Sequence, residues 1–281
     1  MLFYLILLLV STSVYTYRYI NIMKTCYIKA SDIAACIGYN KYKNVNDLLD
    51  EYCNKFRLLF GKPKENSKRD DILEVINEKL PELSAVIQKT VKDVDFHKLD
   101  NDEISEMVES AREKISSNED LTEIQKEEVF DELKSKIYRS YGEVSEEKTS
   151  KQIIKETSKK LVKDKKFYKL EIYRTDNVKF IIYGQTDRIE YNEDGSKVLI
   201  EIKNRMNRLF KFVPKYELVQ IQIYLRLIGL ENAKLVEQYK DTIYTHIIKI
   251  DNTMIDNVIS KLEIFCKHIY DKCIISLLQD T

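Results

Sequence analysis

The sequence predicts an α/β fold: a central mixed β-sheet flanked by helices, with a helical, acidic insertion. Three observations predict it. Helical periodicity fills most of the first 170 residues, and short runs rich in Ile, Val and Tyr follow before helix and strand patterns alternate to the C-terminus. The 281-residue chain is neutral, but residues 64–140 carry a net charge of −8 and the remainder +8. The acidic part is therefore expected to face away from any bound polyanion.

The composition excludes several classes of protein. With 6 Gly and 3 Pro the chain is neither fibrous nor of low complexity, and 19 Tyr with 10 Phe supply a core. Five cysteines without a C-x2-C pair argue against a structural zinc site and a disulfide framework, which predicts reduced thiols and an intracellular, cytoplasmic location. No Gly-rich phosphate loop is present, so an ATP-driven activity is not expected.

Residues 1–22 are predicted to be an apolar N-terminal extension. Its apolar run, residues 2–10, is shorter than the roughly 20 residues that span a bilayer. Met23 directly precedes the first organised segment, which favours a non-native start upstream of it. An interfacial anchor and a signal peptide are the alternatives, so a membrane or signal role stays open.

The domain is predicted to span residues 23–281 and to begin with helices. Residues 30–38 are expected to form a short helix that Ser31 caps and Gly38 ends. A second helix is predicted over residues 46–60, where apolar side chains share one face.

The acidic insertion, residues 64–140, shows apolar residues at helical spacing amid dense charge. Gly142 is expected to open a new, lysine-rich helix over residues 141–170. The remaining predicted elements are strands over 169–173, 178–183 and 198–203, a helix over 216–230, strands over 233–238 and 243–250, and a helix over 252–278.

The candidate chemistry lies among the predicted strands. In Ile200-Glu201-Ile202-Lys203 the two-residue period of a strand places Glu201 and Lys203 on one face. A turn at Asp194-Gly195 would bring Asp187 beside Glu201. Two carboxylates with a lysine predict a Mg²⁺ site, with Mn²⁺ as the alternative cation, because both metals prefer hard oxygen ligands.

Glu146 is a third candidate carboxylate, contributed by the helix that follows Gly142. Each of these assignments has a plain structural alternative. Charges that alternate with isoleucines are common on the solvated face of a sheet. An acidic residue in the first turn of a helix is favoured by the helix dipole alone.

A cationic run follows the candidate site: Lys203, Arg205, Arg208, Lys211 and Lys215, with no acid between them. Such a run can hold a nucleic-acid backbone or can be an ordinary solvated surface. Gln220 and Gln222 come next, and two residues apart on a helix they do not share a face, so at most one approaches the site.

Five motifs in order carry a resemblance to a known family: Ala-Ser-Asp-Ile-Ala-Ala from residue 30, Gly-x-x-x-Glu from 142, Gly-Gln-Thr-Asp from 184, Glu-Ile-Lys from 201 and Gln-x-Gln-x-Tyr from 220. Together they resemble the YqaJ-like viral recombinase family, relatives of bacteriophage lambda exonuclease in the PD-(D/E)XK nuclease superfamily. The resemblance covers residues 24–38 and 141–250, roughly half of the chain.

The resemblance implies a restriction-endonuclease-like core and a Mg²⁺-dependent exonuclease. Such an enzyme degrades one strand of linear duplex DNA, from the 5′ end, in viral recombination or repair. The family also implies a homotrimer and a single-strand annealing protein as partner.

The resemblance also assigns roles to individual residues. Glu146, Asp187, Glu201 and the backbone carbonyl of Ile202 match metal ligands. The other assignments are Lys203 as catalytic lysine, Gln222 as the glutamine beside it, and Lys24 and Ser31 as contacts to the terminal phosphate. Arg205, Arg208 and Lys211 are predicted DNA contacts because they belong to the cationic run, not because of the resemblance. A lysine stands at position 24 where the family has arginine, which leaves selection of a 5′-phosphate open.

Two rival functions remain. A catalytically silent DNA-binding or assembly protein would keep the fold, although the intact carboxylate and lysine set argues against it. A nuclease of the same superfamily with an iron–sulfur cluster needs closely spaced cysteines, which this sequence lacks.

Overall fold

The computed structural model describes residues 23–61, 96, 98–119 and 121–279, with side chains as far as Cys273. The expectations for residues 1–22 and for the first half of the insertion lie outside these residues. In chain order the elements are β1 (Lys24–Lys29), a 3-10 turn (Ala30–Asp32), α1 (Ile33–Cys36), α2 (Val45–Leu59), α3 (Asn101–Ser116), α4 (Glu123–Thr157), β2 (Lys160–Lys163), β3 (Tyr168–Arg174), β4 (Val178–Gly184), β5 (Arg188–Tyr191), β6 (Lys197–Asn204), α5 (Lys215–Ile228), β7 (Asn232–Tyr239), β8 (Thr242–Lys249) and α6 (Asn252–Gln279).

The strands form two mixed sheets. The first has the order β1-β4-β3, with β1 parallel and β3 antiparallel to β4. The second has the order β2-β5-β6-β7-β8, in which β6 and β7 are parallel and the other neighbours are antiparallel. The predicted α/β class with mixed sheets and flanking helices is confirmed, and the strands divide between two sheets rather than forming one.

The main core is formed by helices α1, α2, α5 and α6 together with apolar residues of both sheets. Phe180 on β4 stacks on Phe56 of α2, and Phe265 of α6 packs edge-on against Tyr52. All five cysteines are buried, and none forms a disulfide. Burial of apolar and aromatic side chains from four helices therefore holds the first sheet in place.

The second half of the insertion has a core of its own. Helices α3 and α4 pack through a separate apolar cluster that includes Ile104, Val108, Phe130 and Ile137. Both helices begin with a capping box: Asp100 pairs with Glu103 at the start of α3, and Thr122 with Gln125 at the start of α4.

Helix α4 corrects the predicted end of the insertion. It runs without a break from Glu123 to Thr157, about 50 Å at the usual rise of a helix. Gly142 lies in its interior and opens no helix, and Glu146 lies far from the first turn. One rigid helix therefore joins the insertion to the residues that carry the candidate chemistry.

The short N-terminal helix is also corrected in part. Gly38 follows it with a φ of +73°, as expected of a residue that ends a helix. Ser31 is exposed and makes no capping hydrogen bond. Asp32 is the engaged side chain, since it accepts hydrogen bonds from the Tyr52 hydroxyl over 3.0 Å and from Lys43 over 2.7 Å.

Among the helices whose residues are described, none is both long and apolar enough to cross a bilayer.

Candidate active site

The β5–β6 hairpin positions Asp187. Arg188 pairs with Ile200 across the hairpin, so Asp187, one residue earlier, lies opposite Glu201. The backbone N–H of Ile202 donates to Asp187 Oδ2 over 3.0 Å. The turn at Asp194-Gly195 thus brings Asp187 beside β6, as its sequence spacing predicts.

Glu201 and Lys203 share one face of β6, as the strand period requires. Lys203 Nζ donates to Glu201 Oε1 over 2.7 Å, and Gln220 Nε2 on α5 donates to the same oxygen over 3.0 Å. The other oxygen, Glu201 Oε2, is buried and has no hydrogen-bond partner. A buried carboxylate oxygen without a partner costs free energy unless a ligand satisfies it.

Glu146 approaches from the other side of β6. Helix α4 packs on this strand where Ile153 contacts the cluster of Ile200 and Ile202. One residue after Glu146, the side chain of Glu147 accepts a 2.6 Å ion-pair hydrogen bond from Arg188, next to Asp187. These contacts fix the position of α4 along the β5–β6 hairpin. The half-buried Glu146 lies in the electrostatic field of Asp187 and Glu201.

Burial and neighbouring charges shift the pKa values of Glu201, Glu146 and Lys203. Burial, and then the charge of Asp187, raise the pKa of Glu201 to about 7. The same two causes raise the pKa of Glu146 to about 8. Burial would lower the pKa of Lys203, but the carboxylates of Glu201 and Asp187 outweigh it and raise that pKa. The two carboxylates therefore favour the ammonium form of Lys203.

The donor chemistry of this site fits a hard divalent cation. Within the described residues, no group of three His, Cys, Asp or Glu side chains is drawn together as a ready metal cluster. Even so, carboxylate oxygens from α4, β6 and the residue before β5 influence one another's charge, and Glu201 Oε2 is unsatisfied. Oxygen donors of this kind, mutually repelling until a cation is bound, suit Mg²⁺ or Mn²⁺.

Gln220, rather than Gln222, is the glutamine at the site. The side chain of Gln222 is buried on another face of α5, where it donates to the carbonyl of Lys249 and accepts from the backbone N–H of Asp251, each over 2.8 Å. The expectation for Gln222 is corrected: two positions along a helix turn a side chain by roughly 200°, so only one of the two glutamines can face β6.

Tyr224 and Gly184 also shape the site, although the sequence motifs that contain them suggested no role for either residue. Tyr224 follows Gln220 by one helical turn and is buried, and burial and then Glu201 raise the pKa of its hydroxyl. A Cβ on Gly184 would lie 2.6 Å from the Tyr224 ring and 2.9 Å from Ala30. The glycine of Gly-Gln-Thr-Asp thus allows α5 to lie close to β4. In the sequence, the spacing of four residues that places Gln220 and Tyr224 on one face of a helix was the signal for this contact.

Arg205 is corrected as a DNA contact. Its guanidinium donates to both carboxylate oxygens of Glu217, over 2.6 and 2.8 Å, and to Glu237 over 2.7 Å. Both acids are buried. These bonds occupy the guanidinium inside the protein, where it cannot serve as a phosphate contact as well.

Lys24 and Ser31 do not share a phosphate-binding site. Lys24 begins β1 and pairs with Val178, whereas Ser31 follows the other end of the strand. Five residue steps of a strand span roughly 17 Å, more than a lysine side chain can reach. Ser31 is exposed at the end of the first sheet where Gly184 leads to Asp187, and its role as a phosphate contact stays a prediction.

Arg208 and Lys211 are exposed, as expected of DNA contacts. They lie in the segment of residues 205–214 between β6 and α5. Lys215 is directed elsewhere, since its ammonium lies 3.5 Å from the centroid of the Tyr39 ring.

No protein-family model and no curated protein matches the sequence. Solved structures do match. They include an alkaline exonuclease from Laribacter hongkongensis, with a TM-score of 0.48 and 10% identity over 94% of this chain and 97% of that one. The same exonuclease in complex with dAMP gives 0.47 and 11% over 94% and 95%. A phage-related exonuclease from Haemophilus somnus 129PT gives 0.42 and 14% over 89% and 96%. The chain resembles solved exonucleases, and at these identities the likeness concerns the fold.

Proposed function

We propose that this protein is a metal-dependent deoxyribonuclease that hydrolyses phosphodiester bonds in linear duplex DNA, with Mg²⁺ as its cofactor. The observation that carries the proposal is the environment of Glu201: it is buried, one of its oxygens is unsatisfied, Asp187 repels it, and Lys203 is paired with it. A charge arrangement of this kind is costly in a purely structural role. It is typical of sites that bind a cation and stabilise charge on phosphate.

Some groups of the site orient the carboxylates, and others would bind the cation. The Ile202 N–H holds Asp187 Oδ2, and Lys203 with Gln220 holds Glu201 Oε1, which leaves Glu201 Oε2 and the second oxygen of Asp187 for a cation. Glu146 completes the ligand set from α4, and the carbonyl of Ile202 is the backbone ligand that the motifs imply. A bound Mg²⁺ or Mn²⁺ would supply positive charge at the phosphodiester and favour deprotonation of the attacking water.

Lys203 acts through its charge. Its raised pKa keeps the ammonium protonated, so it can stabilise the negative charge that develops on the phosphate or orient the attacking water. The exposed fraction of its side chain, 28%, leaves the group open to a substrate.

The finer parts of the proposal follow from the motif resemblance. They are digestion of one strand in the 5′ to 3′ direction, a role in viral recombination or repair, assembly as a trimer, and cooperation with a single-strand annealing protein.

The proposal is tested with end-labelled linear duplex DNA, incubated with and without Mg²⁺ and carrying a 5′-phosphate or a 5′-hydroxyl. Wild-type protein should release nucleotides only with metal, and Lys203→Ala should lose at least about a hundredfold in rate because a preorganised charge is removed. Retained binding of the duplex, measured by fluorescence anisotropy, controls for folding. Binding without cleavage by wild-type protein in Mg²⁺ and Mn²⁺ would favour the silent DNA-binding alternative.

A further inference from the structure

The segment of residues 205–214 carries a column of stacked groups. Arg205 places its guanidinium 4.1 Å from the centroid of the Phe210 ring. Phe210 in turn stacks on Phe212, with centroids 5.7 Å apart and planes at 18°. The column ends at Phe212, whose side chain is 61% exposed. An aromatic ring is thus presented to solvent on a stacked support.

The buried end of this column is firmly held. Arg205 is fixed by Glu217 and Glu237, and the carbonyl of Arg205 accepts a hydrogen bond from the side chain of Asn101 over 2.9 Å. Glu237 Oε2 also accepts the backbone N–H of Lys211 over 3.0 Å. Lys211 has a φ of +58°, an unusual conformation for a residue other than glycine. The hydrogen bonds at Glu237 stabilise this conformation, which turns the chain between the two phenylalanines.

The column begins beside the candidate active site. Arg205 follows Lys203 by two residues, and its partner Glu217 interacts electrostatically with both Glu201 and Lys203. Exposed Arg208 precedes the aromatic pair in sequence, and exposed Lys211 lies between its two members. A single exposed phenylalanine is common on protein surfaces. A supported ring with two exposed cations in the same short segment, next to the candidate active site, has the composition of a single-strand binding surface.

We propose that Phe212 is a stacking surface for an unpaired base of the DNA strand that enters the site; this inference rests on the proposed function. Bases inside a duplex have both faces covered by neighbouring pairs, so the partner of Phe212 is a base at a strand end or in a single-stranded segment. Arg208 and Lys211, in the same segment, would bind neighbouring phosphates of that strand. Stacking accepts any of the four bases, because each has a π face, and so gives no sequence preference.

The chain has no tryptophan, so Phe212→Trp introduces a unique fluorophore at this position. Tyr191→Trp is the matched control: Tyr191 is 38% exposed, lies near Lys160 and Lys197, and ends β5 at the opposite end from Asp187. Each variant is titrated with single-stranded oligothymidylate in EDTA, which keeps the strand intact. Emission should be quenched in Phe212→Trp alone, and an oligomer of abasic sites with the same phosphates should not quench it.

A second measurement uses affinity. Phe212→Ala should weaken binding of the oligothymidylate roughly 5- to 150-fold, the range for loss of one base–aromatic stack, while Tyr191→Ala should change it less than about twofold. Unchanged emission of Phe212→Trp with bound oligomer, or wild-type affinity in Phe212→Ala, would overturn the inference. If wild-type protein cleaves DNA but neither quenching nor loss of affinity is seen, base stacking on Phe212 is wrong and the proposed nuclease activity stands. If both signals are seen but wild-type protein does not cleave DNA, the nuclease activity is wrong and base stacking stands.

Discussion

Glu201 uses its two oxygens differently, and this difference shapes the site. Oε1 accepts hydrogen bonds from Lys203 and Gln220, whereas Oε2 is buried without a partner. An unsatisfied buried oxygen destabilises the fold, and under the proposed function a bound cation would satisfy it. Gln220 then serves as a positioning residue that fixes the orientation of the carboxylate.

Gln220 and Gln222 should respond oppositely to replacement. Gln220→Ala should reduce the cleavage rate about 10- to 100-fold, with little change in stability, because a partner that orients a metal ligand is lost. Gln222→Ala should lower the free energy of unfolding by about 1–3 kcal/mol, because the carbonyl of Lys249 and the N–H of Asp251 lose their partner.

Urea unfolding and the end-labelled duplex assay measure the two effects on the same preparations. An equal or larger loss of activity in Gln220→Glu would support a positioning role, because a carboxylate cannot donate to Glu201 Oε1 and would repel it. A rate that falls in Gln222→Ala and not in Gln220→Ala would restore the original assignment from the motif.

At the residue scale, local sequence patterns predicted those contacts that depend only on residues close together in the sequence. The turn at Asp194-Gly195 and the period of a strand were enough to bring Asp187, Glu201 and Lys203 together. The choice between Gln220 and Gln222 depends on which face of α5 lies against β6, and packing decides that. Arg205 was misassigned because its partners Glu217 and Glu237 lie on other elements.

Helix α4 gives the first prediction at the scale of elements. Gly142 lies in its interior, and nothing lies within 4 Å of where a Cβ would stand. Gly142→Ala should therefore raise the free energy of unfolding by about 0.5–1 kcal/mol, since alanine has the higher helix propensity. Urea denaturation measures this, and a loss of stability would argue against a continuous helix through residue 142.

The hydrogen bonds at Glu237 predict a dependence of stability on pH. Burial tends to raise the pKa of Glu237, but the Lys211 N–H and Arg205 together lower it below its usual range. The folded state then binds fewer protons than the unfolded state, so this contribution is present above the unfolded pKa and lost as pH falls through the lowered value.

Glu237→Gln should accordingly be less stable than wild type at pH 7 by about 1–3 kcal/mol. The difference should shrink as the pH falls below about 4.3, the ordinary pKa of glutamate, because the unfolded chain then takes up a proton that folded Glu237 does not yet bind. Thermal melting of both proteins from pH 3 to 7 measures it. A constant difference across this range would show that the carboxylate charge contributes nothing.

The elements differ in how well sequence predicts them. Strands β3, β4, β6, β7 and β8 were located to within one or two residues. Strand β1 was not predicted, β2 lies within the helix predicted over residues 141–170, and the four-residue β5 was missed because it gives too short a pattern. The true start of α4 had a visible signal, Thr122 followed by Gln125 as a capping box, but the lone Gly142 suggested a later start.

At the scale of the whole molecule, the insertion differs from the rest of the chain both in net charge and in the apolar cluster that it packs around. The acidic insertion has its own apolar cluster, and the basic remainder carries the candidate site. Helix α4 joins the two, and the side chain of Asn101 fastens α3 to the carbonyls of Arg205 and Met206. The insertion therefore supports the segment after β6 from the side, while its negative charge disfavours DNA on its own surface.

The division of the strands between two sheets could not be predicted from the sequence. Strand patterns specify which residues are extended and which faces are apolar, and they leave the partners of each strand open. Parallel pairs such as β1 with β4 join segments more than 140 residues apart, so no local turn signals them. The α/β class was predictable because helix and strand periods differ plainly along the chain.

Metal binding tests the proposed site most directly. Isothermal titration calorimetry of the full chain with Mg²⁺ and Mn²⁺ should show one divalent site. Glu146→Gln, Asp187→Asn and Glu201→Gln should each weaken it at least about tenfold, while Glu171→Gln, whose carboxylate is paired with Arg174 on β3, should leave it unchanged. Equal metal affinity in wild type and all three site variants would contradict a shared site built from these carboxylates.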